Sequence, residues 1–132
     1  MAHLSAVALV VPDYDAALDF YVGKAGFTLV EDTDLGDGKR WVLIAPEACA
    51  QTRILLARAV GEAQTAAIGT QTGGRVGFFL QTDTFDETHE RMQAAGVAFE
   101  ETPRSEPYGK VAVWRDPWGN RWDLLQLNAS RG

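Results

Sequence analysis

The sequence contains an internal repeat, and this repeat restricts the possible folds more than any other feature of the chain. Short segments recur in the same order in the two halves of the 132 residues. The matching segments are 25–27 with 95–97, 38–39 with 109–110, 45–46 with 116–117, and 52–56 with 120–124. Two copies of one supersecondary unit are the simplest explanation, because a repeated sequence indicates a repeated structural element.

Each copy is predicted to contain one helix and four strands. The strands are expected at 4–11, 27–32, 39–45 and 53–58 in the first copy, and at 75–82, 97–101, 111–115 and 121–127 in the second. Each helix has one face at i, i+3, i+4 and i+7. These faces are Tyr14, Ala17, Leu18 and Tyr21 in the first copy, and Phe85, Thr88, His89 and Met92 in the second. Residues 59–74, rich in Gly, Thr and Gln, are predicted to be a linker.

The predicted fold class is therefore α+β, with two tandem β-α-β-β-β modules in one domain over residues 1–132. The first module spans about 1–58, the linker about 59–74 and the second module about 75–132. Either module alone would expose one face of its sheet. Together they are expected to form a curved mixed sheet around a cleft, with the helices on the outside. A concave, mostly apolar cleft of this kind is where a small molecule would bind.

The amino-acid composition disfavours several classes of binding partner and site. The formal net charge of -6 disfavours nucleic acid and anionic membrane surfaces, which attract clustered Lys and Arg. No apolar run approaches the roughly 18 residues of a membrane span. The single cysteine, Cys49, cannot form an internal disulfide or a Cys-rich metal cluster. We expect a cytoplasmic protein whose partner is a small molecule.

Strand alternation selects the residues expected to face the cleft. Asp123 stands in an apolar strand, where a carboxylate is costly unless it is paired or bound to a metal. Side chains two residues apart on a strand share a face, and aromatic residues are candidates for a pocket wall. The predicted ligand-binding residues are Trp41, Arg53, Leu55, Arg75, Phe79, Trp114, Arg121 and Asp123. Trp122 has the opposite parity and is predicted to pack under a helix, and His89 is predicted to pack between helix and sheet.

Two groups of residues carry a resemblance to a known family. The first is Val11-Pro12-Asp13 with Phe20-Tyr21 and Gly26-Phe27, and the second is Asp116-Pro117-Trp118-Gly119-Asn120 with the strand that follows it. On these motifs the chain resembles the vicinal oxygen chelate superfamily over nearly its whole length. That superfamily includes glyoxalase I, extradiol dioxygenases, and fosfomycin and bleomycin resistance proteins.

The resemblance also indicates where a metal would be held. In metal-dependent members, the first and fourth strands of each module supply His and carboxylate ligands to a divalent cation. The aligned positions here are Ala6, Leu55, Arg75 and Asp123. Ala and Leu have no donor atom and Arg does not deprotonate, so the resemblance implies no catalytic metal and no cofactor. Arg75 and Asp123 are instead expected to form a salt bridge on the cleft floor, either as a structural remnant or to orient a ligand.

Three functions are compatible with this sequence. The first is a metal-free small-molecule-binding protein of the glyoxalase/bleomycin resistance type. The second is an enzyme of the same superfamily, lyase or dioxygenase-like, that uses residues other than the family's catalytic ones; the catalytic residues are then unassigned. The third is an accessory or regulatory binding domain. A homodimer is expected from the resemblance and from the sheet edges that two small sheets expose.

Overall fold

The computed structural model describes residues 1–128, and the chain divides into two compact units. The first unit runs from Met1 to Gln71 and the second begins at Thr72. The elements of the first unit are β1 (Ala6–Val11), α1 (Tyr14–Tyr21), β2 (Thr28–Gly36), β3 (Lys39–Ala45), β4 (Arg53–Arg58) and α2 (Gly61–Ala67). Those of the second are β5 (Phe78–Gln81), α3 (Phe85–Ala94), β6 (Ala98–Phe99), β7 (Arg104–Glu106), β8 (Gly109–Arg115) and β9 (Arg121–Leu127). This order confirms the predicted α+β class with one β-α-β-β-β module in each unit.

The first unit is a four-stranded mixed sheet with strand order β1-β4-β3-β2. β1 and β4 run parallel, and the other neighbours are antiparallel. Helix α1 begins at Tyr14 because the Asp13 carboxylate accepts a hydrogen bond from the backbone N–H of Ala16 at 2.8 Å. The core between α1 and the sheet consists of Leu9, Val11, Tyr14, Ala17, Phe20, Tyr21, Val42, Ile44 and Leu56. The alternate residues of these strands form the other face of the sheet.

The segment 59–74, predicted to be a linker, contains helix α2. No residue of α2 is buried, so its sequence has no apolar stripe by which a helix could be recognised. Beyond it, the Gln71 side chain accepts from the Val10 N–H at 2.8 Å and donates to the Ala8 carbonyl at 3.0 Å. Gln71 therefore satisfies the outer edge of β1 in place of another strand.

The second unit repeats the arrangement, with strand order β5-β9-β8-β6 and the short β7 also paired to β8. Under helix α3, Trp122 stacks on both Trp114 and Phe78, with ring centroids 4.8 and 4.9 Å apart. This confirms the prediction for Trp122. His89 lies between the rings of Phe85 and Phe99, at 5.8 and 4.3 Å, as predicted. Its Nε2 atom is buried without a hydrogen-bond partner in residues 1–128.

A buried aspartate fixes the turn between β8 and β9. One oxygen of Asp116, Oδ1, accepts the backbone N–H groups of Trp118, Gly119 and Asn120 at 2.9–3.0 Å. The other, Oδ2, accepts the Asn120 side-chain amide at 2.6 Å. The turn thus has its backbone donors satisfied by one side chain, which sets the register in which Val113 faces Asp123. Residues 116–120, the second motif of the family resemblance, therefore position β9 through the hydrogen bonds of Asp116.

Candidate ligand-binding face of the second unit

The sheet of the second unit has one face against helix α3 and one face that no helix of this unit covers. On β9, Trp122 and Leu124 are buried towards the helix, and Arg121, Asp123 and Leu125 alternate with them. In register with Asp123 stand Phe79 on β5 and Val113 on β8. We call the surface formed by Phe79, Val113, Arg121, Asp123 and Leu125 the Asp123 face. Phe79 lies on the edge strand β5 and is 59% exposed, whereas Val113 on β8 is buried. Such exposure is unusual for a large aromatic side chain.

Asp123 is the chemically distinctive residue of this face. It is half-buried, and its Oδ1 atom is buried without a hydrogen-bond partner in the part of the chain that the structure describes. Burial raises the pKa of the Asp123 carboxyl above its ordinary value. The positive charges of Arg104 and Arg121 oppose this shift, and the negative charge of Glu101 adds to it. A buried oxygen without a partner is costly, and because Oδ1 is itself buried, a ligand would meet this half-buried side chain at its accessible part.

Glu100 joins two arginines at one end of the Asp123 face. Its carboxylate accepts hydrogen bonds from Nε and Nη2 of Arg121, each at 2.9 Å, which makes this ion pair bidentate. Glu100 also forms an ion pair with Arg115. Hydrogen bonds from Arg121, and secondarily from Arg115, lower the pKa of the Glu100 carboxyl to about 2. Arg121 also donates Nη1 to the Gly74 carbonyl at 3.1 Å. Both arginines are therefore engaged within the protein.

A second cluster of charges involves β7. Arg104 pairs with Glu101 at 2.9 Å and with Glu106. The second carboxylate oxygen of Glu101 accepts the backbone N–H of Val113 at 2.9 Å. Through that bond the segment before β7 is tied to the strand next to Asp123. The sequence pattern does not single out Glu100, Glu101 or Arg104 as site residues. The only available signal was the alternation of opposite charges over 100–106, which also occurs on exposed strands.

The predicted salt bridge between Arg75 and Asp123 is wrong. Arg75 is exposed, lies before β5, and donates Nε to the neighbouring Val76 carbonyl at 3.2 Å. The sheet registers explain the error. Ala8 pairs with Leu55, and Phe79 pairs with Asp123, so Ala6 corresponds to Gly77 and not to Arg75. The predicted alignment of the two halves is therefore wrong by two residues. A shift of two residues keeps a side chain on the same face of the sheet but moves it along the strand.

The other predicted residues divide between the core and the first unit. Trp114 is fully buried under α3, which corrects its expected place on a ligand-facing wall. It stands opposite Trp122 in the β8–β9 register, so the two indoles share the helix-facing side. In the first unit, Leu55 is half-buried and Trp41 is 40% exposed, both on the sheet face opposite α1. Arg53 shares the Leu55 face, and its Nε donates to the Ala50 carbonyl at 3.1 Å.

Comparison with known proteins agrees with this architecture. The family model for the glyoxalase/bleomycin resistance protein/dioxygenase superfamily matches residues 3–124. The chain belongs to this superfamily. Superfamily membership confirms the resemblance stated from the motifs, and it agrees with the β-α-β-β-β order of each unit. Within residues 1–128, none of the helices combines the length and the apolar character that a membrane span requires.

Three individual proteins illustrate the similarity. An uncharacterized protein of Shewanella frigidimarina (strain NCIMB 400) is 50% identical over 92% of this chain and 91% of its own length. TnmS3, an antibiotic binding protein from Streptomyces sp. CB03234, is 33% identical, with a TM-score of 0.80 over 97% of this chain and 98% of its own. A superfamily member from Sphaerobacter thermophilus DSM 20745 is 28% identical, with a TM-score of 0.73 over 96% and 98%.

The divalent metal of metal-dependent superfamily members does not fit the residues present here. With the corrected register, the four ligand positions are Ala6, Leu55, Gly77 and Asp123, which offer one carboxylate. Divalent metal sites in proteins generally use three or more donor side chains, and no such group of His, Cys, Asp or Glu occurs within residues 1–128.

Gly77 lies just before β5, and the side chain of another residue occupies the space beside its Cα atom. A Cβ atom added at Gly77 would lie 2.2 Å from the Thr72 methyl carbon and 3.1 Å from its hydroxyl oxygen. The Thr72 hydroxyl donates to the Arg75 carbonyl at 2.8 Å, which holds the turn over the glycine. Thr72 therefore occupies the space in which a side chain at residue 77 would begin.

Proposed function

We propose that the protein is a metal-free small-molecule-binding protein of the glyoxalase/bleomycin resistance type, which holds its ligand on the Asp123 face. One observation carries the proposal: Asp123, whose buried oxygen lacks a hydrogen-bond partner in residues 1–128, stands in register with Phe79, which is 59% exposed. Ligand sites in proteins combine an apolar or aromatic surface with a few polar groups that orient the ligand.

Two further points support this function. TnmS3, which is 33% identical to this chain over nearly its whole length, is an antibiotic binding protein. The four superfamily ligand positions hold one donor side chain, which favours binding over metal-assisted chemistry. On this basis the ligand is an organic molecule of antibiotic-like size, and binding leaves it chemically unchanged. Trp41, Leu55 and Arg53 are proposed to contact ligand on the corresponding face of the first unit.

The proposal includes a homodimer in the cytoplasm. Several large apolar side chains of the first unit, including Val7, Leu29 and Trp41, are at least 40% exposed, and a second copy would cover them. Light scattering coupled to size-exclusion chromatography is expected to give twice the chain mass of 14.4 kDa. A monomer at micromolar concentration would contradict the dimer. Cell fractionation is expected to recover the protein with soluble cytoplasmic markers.

The function is tested by NMR screening of isotope-labelled protein against a library of aromatic small molecules, with and without EDTA. We expect binders to shift the resonances of Phe79, Asp123 and Leu125 equally in both conditions, and to be recovered unchanged by mass spectrometry. Phe79→Ala should weaken binding about tenfold or more, because it removes most of the exposed apolar contact. Val60→Ala is the matched control, since Val60 is 68% exposed in the first unit.

Three results would contradict the proposed function. One is binding that disappears with EDTA and returns with a divalent metal. Another is conversion of the ligand to a product, which would favour the enzyme. The third is a set of shifts that avoids Phe79 and Asp123, which would place the ligand elsewhere.

A further inference from the structure

The charges around the Asp123 face do not balance. Three arginines, Arg104, Arg115 and Arg121, stand with four carboxylates, and each arginine forms an ion pair with a glutamate. Those glutamates are Glu100, Glu101 and Glu106. Asp123 is the remaining acid, and it forms no ion pair in residues 1–128. Within residues 1–128, one negative charge on this face therefore has no ion-pair partner.

From this imbalance we infer that the Asp123 face selects organic cations, with Asp123 as the counter-ion and Phe79 as the aromatic surface beside it. The inference rests on the proposed function and names the chemical class of its ligand. An ionised carboxylate only accepts hydrogen bonds, so a ligand group that pairs with Asp123 must be a donor. A protonated amine is a donor that also neutralises the charge, which makes its bond to a carboxylate stronger than that of a neutral donor.

The arrangement of Phe79 favours the same ligand class. Phe79 is the partner of Asp123 in the parallel β5–β9 register, so the two side chains leave the sheet side by side. A cation bound to the carboxylate is then close to an exposed aromatic ring, which attracts positive charge through its π-electron face. An apolar ligand body would continue onto Leu125, the next residue of β9 on this face.

An anionic ligand is disfavoured by the same contacts. The two arginines that act on Asp123 are already occupied within the described residues: Arg121 by Glu100 and Gly74, and Arg104 by Glu101 and Glu106. An anion would have to displace one of these glutamates while it is repelled by Asp123. A neutral donor would meet neither obstacle, but it would leave the charge of Asp123 in place. The expected order of affinity is therefore cation, neutral molecule, anion.

The test uses three probes that share one naphthyl ring: naphthylmethylammonium, naphthylmethanol and naphthylacetate. Their affinities for the full chain are measured by calorimetry at pH 7 and low salt, with NMR shifts to identify the face. We expect the ammonium to bind about tenfold or more tightly than the alcohol, and the acetate to bind most weakly. Asp123→Asn should reduce the ammonium to the affinity of the alcohol and leave the alcohol unchanged.

Two control variants separate the local effect from others. Asp83→Asn removes one exposed carboxylate from the same unit, so it tests whether the net charge of -6 attracts the cation without a site. It should leave all three affinities unchanged. Phe79→Ala should weaken all three probes. Thermal denaturation establishes that each variant is folded before its affinity is interpreted.

The outcomes distinguish this inference from the proposed function. Equal binding of the alcohol and the ammonium at the Asp123 face would overturn cation selection and leave the proposed function standing. Loss of the ammonium preference in Asp83→Asn as well as Asp123→Asn would also overturn it. If none of the three probes shifts Phe79 or Asp123, both the inference and the proposed ligand face are contradicted.

Discussion

Replacing Asp123 by Asn should make the free protein more stable, although it removes the group that we propose binds the ligand. The two side chains have nearly the same shape, so the substitution tests charge and not packing. The substitution leaves a polar side chain in place and removes only its charge, and burying a charge costs more than burying a neutral amide, whose own unsatisfied groups cost about 1–3 kcal/mol. Attraction to Arg104 and Arg121 offsets part of that cost for the carboxylate, yet burial is the larger effect on its pKa. We expect a net gain of about 1 kcal/mol, which raises the Tm by about 4 °C in a chain of 132 residues.

The gain should depend on pH with a defined sign. Because burial raises the folded-state pKa of Asp123, the ionised carboxylate costs the folded wild-type protein free energy at pH values above that pKa. Protonation relieves the cost as the pH falls through the folded-state pKa. The relief is complete below the ordinary value of 3.8. The stability difference between Asp123→Asn and wild type should therefore be present at pH 7 and absent below about pH 3.5.

Urea denaturation of the wild type, Asp123→Asn and the control Asp83→Asn at both pH values measures these differences. The control removes an exposed carboxylate of the same unit, and its effect should stay within about 0.5 kcal/mol. The reasoning is refuted if Asp123→Asn is no more stable than wild type at pH 7, or if its advantage is the same at both pH values. The first result would mean that Oδ1 has a partner in solution, and the second that the carboxylate charge is not the cause.

Three further predictions concern the residues that support the Asp123 face. Asp116→Ala should lower the free energy of unfolding by about 3 kcal/mol, because it leaves the backbone donors of the β8–β9 turn unpaired, and calorimetry would contradict this with a change below about 1 kcal/mol. Glu100→Gln should cost about 1–2 kcal/mol at pH 7, discounted for solvent screening. Because the Glu100 pKa is lowered to about 2, this cost should decline as the pH falls from 4.5 towards 2, and a pH-independent cost in urea titrations would argue against the ion pair with Arg121. Gly77→Ala should destabilise the second unit by about 1–2 kcal/mol through the contact with Thr72, and Thr72→Gly should relieve most of that loss; additive effects in the double variant would refute the contact.

Much of the fold could be predicted from the sequence because its strongest signals are local. The helix cap at Asp13 and the turn residues of 116–120 mark where elements begin and end, and the repeat shows that the pattern occurs twice. Helix α2 and strand β7 could not be found in this way. The former buries nothing, and the latter consists of three polar residues whose pairing with β8 depends on contacts distant in sequence.

The candidate site was predicted less completely, for two identifiable reasons. The strand parity predicts that Asp123 and Phe79 share one face of their sheet, and the register places them side by side. Arg75 was misplaced because the glycines at 73, 74 and 77 leave no side-chain pattern to fix where the strand begins. The prediction for Trp114 is wrong because an aromatic side chain is common both in a hydrophobic core and in the wall of a ligand pocket. Its pairing with Trp122, which faces helix α3, places it in the core. Pairing between strands is information that one strand alone does not contain.

The turn that places Thr72 over Gly77 also bears on how this chain could change over generations. A histidine acquired at residue 77 would meet the Thr72 side chain before it could reach any metal, since even its first carbon would lie 2.2 Å from the methyl group. Loss of the threonine side chain would have to come first, and by itself that step brings no metal ligand. Selection for metal binding would therefore find no single-step advantage at this position. The contact between Thr72 and Gly77 therefore disfavours a metal-binding side chain at residue 77.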